Sequence, residues 1–305
     1  MAPRHKSVCG IEFGREVLTL VTCLPSERAI AGIAISNPLD TRHEAWWGSI
    51  GKELPSMVTK MKTGTLPAGC SLPADHAIVK RVVSDSADEE TVNALRWELS
   101  QQLIAPIDDY RFDFQHLGTE LEGNVRTYLA TGFHEDGIRR IGTLLKNSHL
   151  RPHTLSLDIF ALINVFECNY PELTLHPAML VLGGEVCTKI ILTQGGNFVD
   201  VEIVYHEGQE FDSHSYTELV SRGAQTLSSL HAARLEGQTP HLFVAGPMFF
   251  QEEFRAHCLQ SLPGSDTLSP FRALTCRALG EEDQIRYAPQ LAVAIGLALQ
   301  TGDGV

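Results

Sequence analysis

Alternating hydrophobic and polar positions at the start of the chain predict three short β-strands joined by tight turns. These strands are expected at residues 7–12, 17–23 and 29–36. Gly14 provides the conformationally free residue of the first turn. A helical pattern follows over residues 41–62, and Pro55 is expected to interrupt it because proline cannot donate the helical hydrogen bond. The chain therefore begins with a small sheet followed by a helix.

The same order of strands and turns returns in the second half of the chain, after Pro177. Strands are predicted at residues 178–182, 187–193 and 198–204, and a helix, a strand and a closing helix follow at 216–235, 241–245 and 289–300. Glycine-containing turns separate the three strands, with Gly183 and Gly184 in the first turn. The correspondence between the two halves is one of architecture, with little sequence identity, and it indicates a duplicated plan.

A different pattern occupies the stretch between the two halves. Its predicted elements are a strand at 77–83, a helix from Asp85 to Ile104, strands at 111–117 and 125–131 joined by a turn at 122–124, and a helix at 134–147. A short strand at 155–157 and an apolar helix at 159–166 then lead into the second half. The order β-α-β-β-α indicates an α+β module inserted between the two halves.

Two small sheets with helices, each opening on a glycine hairpin, resemble the plan of the superfamily that contains actin, heat-shock chaperones and sugar kinases. The fold class expected from this resemblance is α/β, a two-domain actin-like, ribonuclease H-like duplicated fold. Residues 1–74 and 151–176 would form the first domain, 75–150 the inserted module, and 177–305 the second domain. In this superfamily the two hairpins face each other across a cleft, and their backbone N–H groups hold nucleotide phosphates.

Composition narrows the classes of partner and the location. The chain carries 37 acidic and 24 basic side chains, a formal net charge of −13, and such a field repels a nucleic-acid backbone. No stretch approaches the roughly 20 apolar residues that span a bilayer, and the first residues lack an apolar export signal. Seven dispersed cysteines indicate reduced, mostly buried thiols and no structural metal. These features predict a cytoplasmic protein that does not bind nucleic acid.

Three segments of the chain resemble the PilM family of type IV pilus assembly proteins. The segments are residues 92–115, 128–164 and 288–299, which match a helix-strand segment, a strand-helix segment and the C-terminal helix of the family. The matching positions within the first segment are Glu98, Pro106, Asp109 and Asp113. The resemblance implies an FtsA-like member of the actin superfamily, in which residues 75–150 form the FtsA-type 1C subdomain.

The same resemblance implies a binding and scaffolding function at the cytoplasmic face of the inner membrane. PilM proteins bind the short N-terminal tail of the membrane protein PilN, and are connected through PilN and PilO to the pilus platform and its motor ATPase. We expect a cleft between the inserted module and the first domain to receive such a tail, with residues 77–83 as the docking strand. Self-association is left open.

Two other functions are also left open. Actin-like ATPases and small-molecule kinases share the fold, and a fold alone does not set an activity. The cytoplasmic part of the type II secretion protein GspL shares the fold as well and differs from PilM by its partner. Calorimetry with ATP and magnesium would distinguish the first alternative, and the neighbouring genes would distinguish the second.

The first hairpin departs from the pattern of family members that bind ATP. Those members carry Asp-x-Gly-Ser/Thr at the first hairpin, Asp/Asn-x-Gly at the second and Gly-Gly at the adenosine loop. The carboxylates hold magnesium, and the glycines let backbone amides approach the phosphates. Here the first hairpin reads Glu12-Phe-Gly14-Arg15, so the carboxylate is one methylene longer and an arginine replaces the small hydroxyl residue.

The second hairpin and the adenosine loop depart further. Val181 stands where a polar ligand is expected, Glu185 would repel phosphate, and Pro247 removes a backbone donor from the adenosine loop. The candidate cofactor-binding residues of this degenerate cleft are Glu12, Gly14, Arg15, Gly183, Gly184 and Gly246. ATP and Mg²⁺ are the candidate cofactors. No catalytic or metal-ligating residue is predicted, and turnover is not expected.

Two further features have a structural and a functional interpretation. Trp46 and Trp47 point about 100° apart on a helix, so at most one is expected to lie fully in the core. Boundary packing is favoured over a role as an anchor for a partner. The acidic and histidine-rich loop at 206–214 is interpreted as solvated rather than as a metal cluster, because no regular element presents its side chains.

Overall fold

The computed structural model of the protein describes residues 7–72, 77–84, 88–101, 103, 106–119 and 126–303. The predicted turn at 122–124 and the predicted helix start at Asp85 lie outside these residues. The strands are β1 Val8–Phe13, β2 Leu18–Leu24, β3 Ala29–Ile35, β4 Pro67–Ser71, β5 Ala77–Ser84, β6 Tyr110–Thr119, β7 Arg126–His134, β8 Arg151–Ser156, β9 Ala178–Gly183, β10 Cys187–Gln194, β11 Asn197–Tyr205, β12 His241–Ala245, β13 Ser265–Thr267 and β14 Thr275–Cys276. The helices are α1 His43–Met61, α2 Asp88–Ser100, α3 Glu135–Asn147, α4 Asp158–Asn169, α5 Ser213–Leu230, α6 Ala232–Leu235, α7 Pro247–Phe250, α8 Glu252–Ser261 and α9 Glu281–Asp303.

The strands of the described residues form three sheets, with the orders β14-β3-β2-β1-β4-β8, β11-β10-β9-β12-β13 and β5-β7-β6. In the first sheet β1, β2 and β3 are antiparallel, and β4 and β8 then run parallel to β1. The second sheet repeats this plan, because β9, β10 and β11 are antiparallel and β12 and β13 run parallel to β9. The predicted duplicated α/β fold is confirmed.

The chain divides into two compact units. One contains the residues up to Leu72 together with those from Leu144 onward, and the other is Pro73–Thr143. The smaller unit holds the antiparallel third sheet, and helix α2 covers one face of it, where Leu95 packs with Val82. This unit has the α+β composition predicted for the inserted module. The three-domain division with its boundaries stays a prediction.

Glycines in the first sheet allow α9 to lie unusually close to it. A Cβ atom at Gly10 of β1 would lie 1.9 Å from the carbonyl oxygen of Ala294, and one at Gly69 of β4 would lie 2.0 Å from Oγ1 of Thr301. Only glycine permits such an approach. The sequence-based division assigned this helix to the second domain. In the structure α9 packs on β1 and β4 of the first sheet.

Helix α4 lies between α9 and the second sheet. A Cβ atom at Gly296 of α9 would lie 1.9 Å from the carbonyl oxygen of Ala161, so the two helix backbones are in contact. On the other side of α4, the ring of Phe166 lies 5.4 Å from that of Phe243 in β12, measured between centroids. This central position explains why α4 is apolar around most of its circumference.

Helices α1 and α5 pack on the first and second sheets, respectively. Trp46 and Trp47 of α1 are both buried, with exposures of 5% and 8% and ring centroids 4.7 Å apart in an edge-to-face arrangement. The prediction that at most one of them lies fully in the core is wrong. Edge-to-face packing lets two rings that leave the helix in different directions fill one contiguous space. In α5, Tyr216 and Val220 pack in a core cluster with Ile190 of the second sheet.

Prolines do not end the helices in which they occur. α1 continues through Pro55, so the predicted interruption is wrong, and α9 begins at Glu281 and continues through Pro289. Each proline removes one helical hydrogen bond, and the burial of these helices against the sheets outweighs that loss. The helix predicted at 216–235 instead ends at Leu230.

Strand β4 is absent from the predicted elements, because its sequence PAGCS has little β propensity. All of its residues are buried, and it pairs in parallel with β1 on one side and β8 on the other. Small residues are required there because α9 lies directly above the strand. Tertiary packing therefore selects a strand where local preference does not.

All seven cysteines are free, and five of them are buried. Burial raises the pKa of the Cys9 and Cys70 thiols to about 12, so both stay protonated at neutral pH.

No helix in the described part of the chain is long and apolar enough to cross a bilayer.

Candidate functional site

The turns that follow β1 and β9 face each other in the larger unit. Arg15, in the turn between β1 and β2, forms an ion pair with Glu207, which follows β11, with 2.8 Å between Nη2 and Oε1. Glu185, in the turn between β9 and β10, lies close enough to Glu16 and Arg15 for their charges to act on its carboxyl group. The structure therefore brings the two glycine hairpins together.

Glu12, a candidate cofactor-binding residue of the first hairpin, lies in an environment that shifts its pKa strongly. It follows Gly10 by two residues in β1, so its side chain is on the side of the sheet that faces α9. Burial raises the pKa of Glu12 to about 8, and the charges of Asp158 and Glu185 add to this shift while Lys189 opposes it. The carboxyl group at this position therefore holds its proton more readily than an ordinary glutamate does.

The second hairpin has the same register with different residues. Val181 packs in the core cluster that includes α5, so alternation along the strand places Leu182 on the opposite side, towards α4. Leu182 pairs with Lys189 across the hairpin as Glu12 pairs with Thr19. The predicted alignment, which put Val181 at the ligand position, is therefore shifted by one residue. The ligand position is apolar in either alignment.

A buried ion pair joins the second sheet to α4 beside these turns. Nζ of Lys189 in β10 lies 2.5 Å and 2.6 Å from the two carboxylate oxygens of Asp158, the first residue of α4. The two side chains are only 4% and 15% exposed. A lysine this buried requires a counter-ion, because an unpaired ammonium group is costly to remove from water.

Neither member of this ion pair was among the candidate site residues. Asp158 falls inside the segment that resembles PilM but had no role assigned to it, and Lys189 was not singled out. A signal for Lys189 was present, since it is the charged residue within the otherwise uncharged strand sequence CTKIILTQ. A charge inside a buried strand indicates a specific partner.

Two backbone N–H groups of the candidate cleft, those of Gly184 and Gly246, donate hydrogen bonds within the protein. Gly184 donates to the carbonyl oxygen of Cys187 at 3.1 Å, which closes the second hairpin. Gly246 donates to the carbonyl oxygen of Pro289 in α9 at 2.8 Å, and Pro247 has no N–H group. These positions therefore offer no free backbone donor to an anion.

Glycine backbones close the space between the second hairpin and the turn after β12. Gly246 has a φ angle of +99°, and a Cβ atom there would lie 2.5 Å from the carbonyl oxygen of Gly183. A Cβ atom at Gly183 would in turn lie 2.5 Å from the hydroxyl oxygen of Tyr216 and 2.8 Å from Cε2 of Phe249. Both glycines therefore allow close packing of backbone and aromatic rings.

Gly14 makes a tight turn that is held to α1. A Cβ atom at Gly14 would lie 2.5 Å from the carbonyl oxygen of Val17. The indole Nε1 of Trp46 donates to the carbonyl oxygen of Gly14 at 3.2 Å. The first hairpin turn is thus fixed by α1 through a buried tryptophan.

The acidic and histidine-rich loop after β11 has partners of its own. His206 is buried with Nε2 3.0 Å from the hydroxyl of Thr188, and that hydroxyl lies 2.8 Å from the hydroxyl of Tyr216. Asp212 caps α5, because its carboxylate accepts a hydrogen bond from the backbone N–H of Ser215 at 2.7 Å. Among the described residues, no group of three or more His, Cys, Asp or Glu side chains could hold a metal ion.

Magnesium and the phosphates of ATP, which the fold superfamily implies, do not fit these residues. The first hairpin carries Arg15 in place of a small hydroxyl residue, and the second presents Leu182 paired with Lys189. The amides of Gly184 and Gly246 are engaged elsewhere. An ammonium group already neutralises Asp158, so the charge that a metal ion would balance is balanced by the protein itself.

The similarity of this chain to known proteins is found in its structure. No protein-family profile matches the chain, and no curated protein matches its sequence. The chain is similar to a chain of the PilM-PilN type IV pilus biogenesis complex, with a TM-score of 0.76 and 17% sequence identity, over 98% of this chain and 99% of that one.

Two other solved structures are less similar. A Bacteroides thetaiotaomicron protein with an actin-like ATPase fold and unknown function has a TM-score of 0.54 and 7% identity, with 96% of each chain covered. The cytoplasmic domain of EpsL, an inner membrane component of the type II secretion system of Vibrio cholerae, has a TM-score of 0.48 and 13% identity, with 98% of this chain and 95% of that chain covered.

The duplicated sheets, the facing hairpins and these similarities define an actin-like ATPase fold. Within that class the chain has a PilM-like fold over nearly its whole length.

Proposed function

We propose that the protein is a PilM-like scaffold of a type IV pilus assembly platform that binds the N-terminal tail of a PilN-like membrane protein. The observation that carries this proposal is the coverage of 98% of this chain and 99% of the matched chain at a TM-score of 0.76. Agreement from end to end includes the inserted module, so the whole plan of the matched chain is present. The degenerate cleft also favours a scaffold over an enzyme.

The third sheet has an edge that suits an extended tail. Among the described residues β5 pairs with β7 on one side, and it lies at the end of the order β5-β7-β6. An edge strand carries unpaired N–H and C=O groups that pair with an added strand. Val83 of β5 is 56% exposed, which gives such a tail an apolar contact. We therefore propose β5, within the module predicted at 75–150, as the docking strand.

Charge favours a basic tail. The protein has a net charge of −13, and acidic residues also outnumber basic ones within Pro73–Thr143. Such a field accelerates the encounter with lysine- or arginine-containing segments. Binding to the tail would hold the protein at the cytoplasmic face of the inner membrane and connect it, through PilN- and PilO-like proteins, to the pilus motor ATPase.

The proposal is tested with a synthetic peptide of the N-terminal tail of the PilN-like protein encoded in the same genome. Calorimetry with the full-length protein should show saturable binding that a scrambled peptide of the same composition does not show. Val83→Lys should weaken the affinity about tenfold, because a charge on an edge strand opposes strand addition. The matched control is Val92→Lys, which makes the same change at a residue of α2 that is 48% exposed.

Two outcomes would contradict the proposal. No binding of the tail peptide to the wild-type protein would overturn the pilus function, and equal weakening by both valine variants would move the docking site away from β5. Genes for PilN- and PilO-like proteins directly downstream would support the pilus system, whereas genes for secretion components in their place would favour the GspL-like alternative.

A further inference from the structure

The ion pair between Lys189 and Asp158 connects parts of the larger unit that are distant in sequence. Lys189 belongs to β10 of the second sheet, and Asp158 begins α4, which packs on α9 and through it on the first sheet. Both carboxylate oxygens contact the ammonium group, so the geometry is that of a full ion pair. The pair therefore joins the second sheet to α4, and α4 is in contact with α9, which lies on the first sheet.

The position of Lys189 is related to that of Thr19 by the internal duplication. Thr19 pairs with Glu12 across the first hairpin, and Lys189 pairs with Leu182 across the second. Glu12 and Leu182 both face the interior. One half of the cleft thus presents a carboxyl group and the other half an ammonium group. The charges of Lys189 and Asp158 both act on Glu12, so the three groups are neighbours.

We propose that Lys189 is a built-in cation of this cleft, which replaces a metal-nucleotide complex as the tie between the two sheets. Its ammonium group neutralises Asp158 and holds β10 to α4 without any ligand. The protein therefore keeps one arrangement of the two sheets whether or not nucleotide is present. This inference does not depend on which partner the protein binds.

A second contact across the cleft is weaker and serves as a comparison. The side chains of Arg15 and Glu207 are 32% and 62% exposed, so water screens their ion pair. Lys189 and Asp158 are 4% and 15% exposed, and removing one of them leaves the other charge buried without a partner. The two ion pairs should therefore differ strongly in their effect on stability.

The test is a set of thermal denaturation measurements on the full-length protein. Lys189→Met should lower the Tm by roughly 10 °C, because Asp158 is left as an unpaired buried charge. Adding Asp158→Asn to Lys189→Met should restore most of this loss, since the double variant has no unpaired buried charge. Arg15→Met, the comparison variant, should lower the Tm by less than about 3 °C.

The wild-type protein provides the second measurement, which does not depend on any variant folding. ATP with Mg²⁺ in millimolar excess should leave its Tm unchanged within about 1 °C, and calorimetry should show no binding heat. A clear rise in Tm with ATP and Mg²⁺ would overturn the proposal, because the cleft would then accept the complex that Lys189 is said to replace. A Lys189→Met variant as stable as Arg15→Met would overturn it as well.

Discussion

The backbone of Gly246 lies directly against the backbone of Gly183, so that a methyl group at position 246 would approach the carbonyl oxygen of Gly183 to 2.5 Å. The two glycines follow paired residues of adjacent parallel strands, because Leu182 of β9 pairs with Ala245 of β12. The two turns are therefore in contact. The contact depends on glycine at position 246, because its φ angle of +99° is also unfavourable for other residues.

Gly246→Ala should therefore destabilise the protein through both strain and collision. The matched control is Gly237→Ala, because Gly237 has a φ angle of +78° but no atom within 4 Å of a Cβ there. The control should lose about 1–2 kcal/mol of unfolding free energy from strain alone. Gly246→Ala should lose at least about 2 kcal/mol more, measured by urea denaturation. Equal losses would show that the contact with Gly183 does not constrain the turn.

Two helical glycines should respond in opposite directions to alanine. Gly48 in α1 is exposed with open space around it, whereas a Cβ atom at Gly296 in α9 would lie 1.9 Å from the carbonyl oxygen of Ala161. Gly48→Ala should raise the free energy of unfolding by about 0.5–1 kcal/mol, since alanine favours the helix. Gly296→Ala should lower it by at least about 2 kcal/mol through overpacking. A neutral effect at position 296 would contradict the close contact of α9 with α4.

Stability should depend on pH through Glu12. Its pKa is raised from 4.5 to about 8, mainly by burial and further by Asp158 and Glu185 against the opposing charge of Lys189. The folded state therefore holds this proton more tightly than the unfolded chain does. The resulting stabilisation is complete below about pH 4.5 and is lost as the pH rises through about 8.

Glu12→Gln should remove this loss of stability. The unfolding free energy of the variant minus that of the wild type should increase between about pH 5 and about pH 8.5, measured by urea denaturation. Glu185→Gln is the comparison, because burial and the charge of Glu16 raise the pKa of Glu185 only to about 7. The corresponding difference for Glu185→Gln should therefore stop increasing about one pH unit lower than the difference for Glu12→Gln. A difference that does not vary with pH would show that Glu12 ionises normally.

Trp97 should dominate the quenchable fluorescence of the protein. It is 64% exposed on α2, whereas Trp46 and Trp47 are 5% and 8% exposed. Acrylamide should quench the wild-type emission in two classes, and Trp97→Phe should remove the accessible class without lowering the Tm. Accessible emission that persists in this variant would mean that α1 does not bury its two tryptophans as described.

Much of the fold could be predicted from hydrophobic pattern and glycine turns. The three antiparallel strands of each half, the strands β5 to β7 and the helices α3 and α4 occur close to their predicted places. The errors have one physical origin, which is that packing outweighs local preference. Pro55 and Pro289 lie inside helices, and the small residues of β4 form a buried strand because α9 covers them.

The candidate site was only partly readable from the sequence. The substitutions at the first hairpin, at Glu185 and at Pro247 could be seen from the motifs alone. Val181 was assigned to the ligand position one residue away from Leu182, because the side of the strand that faces α4 depends on the neighbouring helices. Asp158 and Lys189 are 31 residues apart, so nothing local connects them.

The sequence by itself determined that the chain repeats a strand-hairpin plan around an inserted α+β module, because alternation and glycine turns are local properties. Only the tertiary structure decided that the last helix belongs to the first sheet and that an ammonium group occupies the interior beside the hairpins. Both depend on which surfaces meet after the chain has folded. An ion pair or a helix contact between remote segments is set by their approach in space, and sequence spacing carries no record of that distance.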